Sequence, residues 1–192
     1  SRGWAKEVVG LAREWIRDGS QRELLQGVVA AFAKDAAMQD LVALSLRAAE
    51  TGVEARVALL EAMARAGLDR WPATWLAEAR WALAHPDERV LRQAVAAIRA
   101  SGSPAFDEPL LAASRDEGRS PEARVDSLGA VTSRVTKLES PLFRFLLDQL
   151  NGERAPLLRL AAAEALGKAP LDDNQLNALS GQLGSLGALE LP

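Results

Sequence analysis

Apolar residues recur along the chain at steps of three and four, in stretches of about a dozen residues separated by short polar segments. This spacing places the apolar side chains of each stretch on one face of a helix. No segment shows the alternation of a half-buried strand. The pattern predicts about eleven helices, and the short connections predict antiparallel helix pairs.

Five of the predicted helices resemble one another in sequence. The last reads LLRLAAAEALG (157–167), and related stretches occupy 20–30, 54–64, 89–99 and 122–132. The third residue of each stretch, here called the arginine position, is an arginine in four copies. In the remaining copy it is a leucine followed by an arginine. We predict that these arginines bridge carbonyls or carboxylates of the adjacent repeat: Arg22, Arg56, Arg92, Arg124 and Arg159.

A second helical pattern precedes each copy, so the repeating unit is a helix, a short turn and another helix, about 34 residues long. These first helices are predicted at 4–16, 38–49, 72–84, 107–116 and 140–150, with a further one at 172–183. Residues 1–192 are predicted to form a single array, because each pair buries its apolar face only against its neighbours. The repeats span approximately 3–34, 35–67, 68–102, 103–136 and 137–169, with a terminal half repeat at 170–192.

Local signals predict where several helices begin and end. Ser20 with Glu23 and Thr51 with Glu54 have the spacing of capping boxes, in which the two side chains satisfy free backbone N–H groups. Ser120 followed by Pro121 predicts another helix start, and Asp172 a further one. Glycines predict helix ends at 67, 102 and 167.

Alanines crowd the second helices, as Ala161, Ala162, Ala163 and Ala165 show. A second helix in a stacked array contacts its own partner and both neighbouring pairs, and small residues let helix axes approach to about 8 Å. Positions two, five and nine beyond the arginine position are expected to point away from the core. They are Ala58, Glu61 and Arg65; Gln93, Ala96 and Ala100; Asp126, Gly129 and Ser133; and Ala161, Glu164 and Lys168.

The second-helix pattern, V-R-x-x-A-x-x-A-L-G, resembles HEAT repeats and the phycobilisome-lyase-type HEAT-like repeats. The resemblance implies an all-α fold, a right-handed α-solenoid of about five helix pairs whose second helices line the concave face. Many HEAT repeats pair the arginine with an aspartate about six residues upstream. Those positions hold Ile16, Glu50, His85, Gly118 and Glu153, so a regular ladder of such pairs is not expected.

A narrower resemblance concerns the arginine-rich, Ala/Leu-rich array and its closing line LSGQLGSLGALELP. It is similar to the HEAT segment of large bacterial proteins of the planctomycete and verrucomicrobial type, described as membrane-bound dehydrogenases. Those carry a β-propeller before the array and a haem-binding cytochrome c domain after it. The resemblance implies a connector segment in a bacterial, periplasmic protein; without it, a cytoplasmic location is expected.

Composition and charge narrow the classes of partner. The net charge is −3, with basic and acidic residues mixed, so no basic footprint for nucleic acid is expected. Cysteine is absent, which excludes disulfides and thiolate metal sites. No apolar run reaches the ~20 residues that cross a bilayer, so no membrane insertion is expected. The chain begins SRGW without methionine, and we expect it to be a segment of a larger protein.

No catalytic constellation accompanies the repeats. His85 is the single histidine, no G-x-S-x-G elbow is present, and GQLGSLG lacks the spacing of a phosphate loop. His85 is expected to help cap the helix that starts near Asp87. We therefore predict a scaffold that is not an enzyme, with no cofactor, metal or small-molecule ligand, binding proteins or neighbouring domains of its own chain. The alternatives are a HEAT-like DNA-repair glycosylase or other nucleic-acid-binding solenoid, and a cofactor-lyase accessory.

The five tryptophans fall in predicted first helices or, for Trp71, directly before one: Trp4, Trp15, Trp71, Trp75 and Trp81. One interpretation is packing between first helices. The other is an aromatic patch that contacts a partner protein, because tryptophan is enriched at interface hot spots.

Overall fold

The computed structural model describes the backbone of residues 2–18 and 21–185 and the side chains of residues 7–17 and 21–182. Regular structure in these ranges is helical throughout, so the predicted all-α class is confirmed. Eleven α-helices and one 3₁₀ turn (Pro104–Phe106) follow one another. The helices are α1 (Arg2–Asp18), α2 (Arg22–Ala31), α3 (Ala36–Arg47), α4 (Val53–Arg65), α5 (Ala73–Leu83), α6 (Glu88–Ser101), α7 (Asp107–Arg115), α8 (Pro121–Gly129), α9 (Ser140–Asp148), α10 (Pro156–Lys168) and α11 (Asp173–Ser185).

The chain divides into two compact units, Ser1–Pro109 and Leu110–Pro192. Helices of the first unit pack in two rows. The first helices α1, α3 and α5 lie side by side, as do the second helices α2, α4 and α6, and each first helix also contacts its own second helix. In the second unit α8 packs on α10, and α9 packs on both α10 and α11.

Leucine, alanine and a few larger side chains form the core of each unit. Trp75 is fully buried in the first unit, where its indole Nε1 donates a hydrogen bond to the Gln39 carbonyl of the preceding repeat at 3.0 Å. Leu128, Leu146 and Ala162 are fully buried in the second unit. Removing such apolar surface from water contributes about 25 cal/mol per Å², which makes packing the main stabilising term.

Two of the predicted helix starts are confirmed. The Ser120 side chain accepts a hydrogen bond from the Ala123 N–H at 3.2 Å, and Pro121 is the first residue of α8. Asp172 accepts from the Gln175 N–H at 3.0 Å, while the Gln175 side chain accepts from the Asp172 N–H at 3.1 Å. These reciprocal bonds form a capping box at the start of α11.

The capping box predicted at Thr51 and Glu54 is wrong. α4 begins after Gly52 without a side-chain cap, and the Glu54 carboxylate instead pairs with Arg89 of α6 at 2.6 Å. An ion pair with the next repeat has replaced the local cap. Ser20 lies outside the described residues, and the cap position of α2 is Gln21, which makes no side-chain cap bond.

Two of the three glycine stops are confirmed. Gly67 and Gly102 adopt left-handed backbone conformations, with φ of 60° and 62°; Gly67 follows the C-cap residue of α4, and Gly102 is itself the C-cap of α6. The prediction for Gly167 is wrong, because α10 continues through it to Lys168 and ends at Ala169 in an extended conformation. Proline follows at position 170 and prevents further helix.

Candidate functional site

Two of the arginine positions close the end of the helix that precedes them. Arg56 donates from Nε to the Leu46 carbonyl at 3.1 Å and from Nη2 to the Ala48 carbonyl at 2.8 Å. Arg124 donates from Nε to the Ser114 carbonyl at 2.9 Å. These carbonyls lie at the C-terminal ends of α3 and α7, where helix geometry leaves them without an intrahelical partner.

The same two guanidinium groups also contact an aromatic ring of the following repeat. The Arg56 guanidinium carbon lies 5.4 Å from the Trp81 ring centroid in α5, and that of Arg124 lies 3.9 Å from the Phe145 centroid in α9. Each arginine therefore touches the first helix of its own pair and the first helix of the next, through carbonyl hydrogen bonds and a cation–π contact.

The remaining arginine positions differ. Arg22 forms a bidentate pair with Glu61 of α4, with Nε–Oε2 at 3.0 Å and Nη2–Oε1 at 2.5 Å. The hydrogen bond to Glu61 raises the pKa of Arg22 above its ordinary value. In the third copy Leu91 is fully buried and Arg92 is exposed; Arg159 is half-buried.

A polar network joins α2 to α4 around Glu61. Gln26 donates from Nε2 to Glu61 Oε2 at 2.5 Å and accepts on Oε1 from Arg65 Nη1 at 2.5 Å. Gln26 is buried, so its amide is held between a carboxylate and a guanidinium. Glu61 and Arg65 were identified from the sequence as surface positions, but Gln26 was not. The signal that could have revealed this residue is a polar side chain at a buried position of a helix.

Most positions expected to point away from the core are exposed or half-buried, but the prediction for Ala58 is wrong. Ala58 is 5% exposed and lies on the side of α4 that meets α2. A position two beyond the arginine position faces the preceding second helix. For Ala58 that helix is α2, which packs on α4 and covers the alanine.

The tryptophans have unequal access to solvent. Trp75 is fully buried and Trp71 nearly so, with Trp71 in edge-to-face contact with both Trp75 and Phe106 at centroid distances of 6.1 and 6.4 Å. Buried rings have no surface to offer a partner. Trp15 and Trp81 are half-buried, and the side chain of Trp4 lies outside the described residues.

His85 and Asp87 shape the turn before α6, as the sequence predicted. His85 Nδ1 accepts from the Asp87 N–H at 3.0 Å, and its ring lies edge-to-face with Trp81 at 5.2 Å. Asp87 caps α6 by accepting from the Arg89 N–H at 2.9 Å. The hydrogen bond from the Arg89 side chain lowers the pKa of Asp87 below its usual value.

Two shallow grooves lie in the first unit. One, of about 220 Å³, is bordered by Trp15, Ile16, Arg22 and Leu25 on one side and by the start of α4 on the other. The other, of about 430 Å³, is lined by residues of both charges, including Arg13, Arg17, Glu14 and Glu50.

The described residues contain no group of three or more histidine or acidic side chains able to hold a metal ion. No helix among them is both long and apolar enough to cross a membrane.

Exposed leucines are the most prominent apolar feature of the described surface. Six large apolar side chains are substantially exposed: Leu11, Leu24, Leu44, Leu157, Leu160 and Leu176.

Comparisons with protein-family models, with curated proteins and with solved structures find no match to this chain.

Proposed function

We propose that the chain is a non-catalytic α-solenoid interaction module that binds other proteins or neighbouring domains of its own chain. The observation that carries this proposal is a recurring contact distance along the sequence. The longest-range side-chain hydrogen bonds among the described residues join positions 31 to 39 residues apart, about one repeat, whereas the others that connect different helical segments join positions 8 to 25 residues apart. The longest-range bonds are Arg22–Glu61, Gln26–Glu61, Gln26–Arg65, Arg47–Glu78, Glu54–Arg89, Trp75–Gln39 and Gln175–Leu138.

Contacts at one repeat length favour a stacked array over a globule with a single centre. In a stack each pair touches only its neighbours, so long-range contacts cluster at one repeat. The right-handed solenoid of about five HEAT-like pairs is the architecture that we propose on this ground. Small-angle X-ray scattering tests it: a compact globule of 192 residues has a radius of gyration of about 16 Å. A value near that figure would contradict the array.

Exposed leucines support a protein partner. Leu44 of α3 is 71% exposed. Covering such a side chain is favourable by about 25 cal/mol per Å² of apolar surface. A half-buried tryptophan and a guanidinium, Trp15 and Arg22, border the smaller groove, and both residue types are enriched at interface hot spots.

Nucleic acid is the less favoured partner, because the cations near α2, α4 and α6 face anions. Arg22 pairs with Glu61, and Arg89 pairs with both Glu54 and Asp87. Binding to DNA draws most of its affinity from cations that neutralise phosphates.

The role of a connector beside a cytochrome c domain remains a prediction from the resemblance. A CxxCH motif downstream in the parent gene would support it.

Site-specific photo-crosslinking tests the proposed function. A photoreactive amino acid replaces Leu44 in cells of the source organism, and Arg144, an exposed residue of α9, serves as the matched polar control. We expect a discrete crosslink to polypeptide from position 44 and none from position 144. Equal, diffuse crosslinking at both positions would contradict the proposal. Salt-dependent binding of the purified chain to duplex DNA at micromolar concentration would favour the nucleic-acid alternative instead.

A further inference from the structure

The chain contains three asparagines, and they lie in two different settings. Asn174 and Asn177 belong to α11, whereas Asn151 lies in the connection between α9 and α10, residues 149–155 of the second unit. Asn151 is also the one asparagine of the three that is followed by glycine. Both Asn151 and Gly152 are exposed to solvent.

Two hydrogen bonds fold the chain back on itself at Asn151. The Asn151 backbone carbonyl accepts from the Arg154 N–H at 3.0 Å, which closes a turn. The Asn151 side chain accepts on Oδ1 from the Glu153 N–H, also at 3.0 Å. The backbone nitrogen of Gly152 is one of the atoms of the ring that this side-chain bond closes, so the amide carbon Cγ of Asn151 is held on the same side of the chain as that nitrogen.

This turn combines an activated carbonyl with an accessible nitrogen. An N–H donor on a carbonyl oxygen stabilises the negative charge that develops there when a nucleophile attacks the carbon, and the Glu153 N–H is such a donor for Oδ1. No described residue accepts a hydrogen bond from Nδ2 of Asn151 or from the Gly152 N–H. Gly152 has no Cβ to hinder the approach of Cγ to its nitrogen.

The two asparagines of α11 lack these features. The Gln175 N–H, which follows Asn174, donates to the Asp172 side chain at 3.0 Å. The Ala178 N–H, which follows Asn177, lies beyond the first turn of α11, where each N–H donates to the carbonyl four residues back. Both nitrogens are therefore engaged and fixed by the helix, and neither is free to attack the side chain before it.

We propose that Asn151 is a site of spontaneous covalent modification, at which the side-chain amide becomes a carboxylic acid through a cyclic imide with Gly152. The Gly152 nitrogen gives up its proton and bonds to Cγ of Asn151. The Cγ–Nδ2 bond breaks, and Nδ2 leaves as ammonia with that proton. Water then opens the imide at either of its two carbonyl carbons. One opening gives aspartate, and the other gives isoaspartate, so water is the sole co-reactant.

The modification changes both the charge and the backbone of the α9–α10 connection. It adds one negative charge to a chain whose net charge is −3. Aspartate keeps a side-chain oxygen that can accept from the Glu153 N–H. In isoaspartate the chain continues through the former side chain of Asn151, so the backbone gains one carbon and the turn at Arg154 is altered. The inference is independent of the proposed interaction module.

Peptide mapping of the full chain tests this proposal. Trypsin cleaves after Arg144, Arg154 and Lys168, and so releases Asn151 in peptide 145–154 and the other two asparagines in peptide 169–192. The folded chain is incubated at mildly acidic, neutral and mildly alkaline pH, digested in mild acid and analysed by mass spectrometry. We expect peptide 145–154 to convert with time from the amide to the acid, faster at alkaline pH, because the attacking nitrogen must lose its proton. Peptide 169–192 should keep both amides over the same period.

The products and a matched variant test the route. We expect two acid forms of peptide 145–154, one of which is methylated by an isoaspartate-specific methyltransferase. Gly152→Ala adds a Cβ beside the attacking nitrogen and should slow the conversion at least several-fold. Among the described glycines a positive φ is found at Gly67 and Gly102 and not at Gly152, so the substitution introduces no backbone strain. Circular dichroism checks that the variant keeps its helices.

Four results would overturn the proposal. The first is a peptide 145–154 that keeps its amide as long as peptide 169–192 does. The second is a folded chain that resists conversion while the same chain unfolded in urea reacts at position 151, since the turn would then protect the asparagine. The third is aspartate without isoaspartate, which would indicate direct hydrolysis. The fourth is a Gly152→Ala variant that reacts as fast as the unaltered chain.

Discussion

The guanidinium carbon of Arg124 lies 3.9 Å from the centre of the Phe145 ring, while Nε of the same side chain is hydrogen-bonded to the Ser114 carbonyl at 2.9 Å. One side chain of α8 therefore holds both the helix before it and the helix after it. Arg56 makes the corresponding contacts in the first unit with Leu46, Ala48 and Trp81. A charge that is hydrogen-bonded to carbonyls and stacked on an aromatic face contributes more than an exposed ion pair.

Replacing the guanidinium of Arg124 should weaken the second unit. Arg124→Met keeps the apolar stem but loses the carbonyl hydrogen bond and the contact with Phe145, so we expect the free energy of unfolding to fall by about 1–3 kcal/mol. Urea titration followed by circular dichroism measures the change. Arg144→Met, on the exposed surface of α9, should alter it by less than about 0.5 kcal/mol. Equal effects of the two substitutions would contradict the role given to Arg124.

Adjacent alanines of α10 should respond oppositely to a large side chain. Ala162 is fully buried, whereas Ala163 is exposed. Ala162→Trp should destabilise by at least about 1–3 kcal/mol, because the core around it has no room for an indole. Ala163→Trp should change the melting temperature little, because the added ring extends into solvent. A melting curve unchanged by Ala162→Trp would show that this face of α10 is not packed.

Two glycines that look alike in the sequence should respond differently to alanine. Gly102 has a φ of 62°, which costs a residue with a Cβ about 1 kcal/mol or more, so Gly102→Ala should destabilise. Gly167 lies inside α10 with nothing within 4 Å of an added Cβ, so Gly167→Ala should stabilise by about 0.5–1 kcal/mol. Thermal unfolding at low protein concentration compares the two. Stabilisation by both substitutions would contradict the helix end at Gly102.

The Asp87–Arg89 contact should make stability depend on pH. The hydrogen bond from Arg89 lowers the pKa of Asp87 in the folded state, so its stabilising effect is present above the unfolded pKa of about 4 and is lost as the pH falls through the folded value. Asp87→Asn retains a side chain able to cap α6 but removes the charge. We expect the unaltered chain to be the more stable at neutral pH and the difference to shrink below about pH 4. Urea titrations between pH 2 and 7 provide the measurement, and a difference independent of pH would rule out the charge as its cause.

Local order was readable from the sequence. The positions of all eleven helices follow from apolar spacing, and the starts at Ser120 and Asp172 follow from side chains that bond backbone groups three residues away. The stops at Gly67 and Gly102 follow from the left-handed conformation that glycine adopts without a steric penalty. Each of these signals lies within one or two helical turns of the structure that it specifies.

Tertiary structure decided which partner each side chain takes. Glu54 was expected to cap its own helix but binds Arg89, thirty-five residues away. Arg56 reaches the ring of Trp81, and Gln26 is held between Glu61 and Arg65 of the next second helix. Ala58 is buried and Leu160 is exposed because a second helix covers one and not the other. The spacing of residues along a helix determines which of them share a side, but whether that side meets protein or water depends on the helices that packing brings against it.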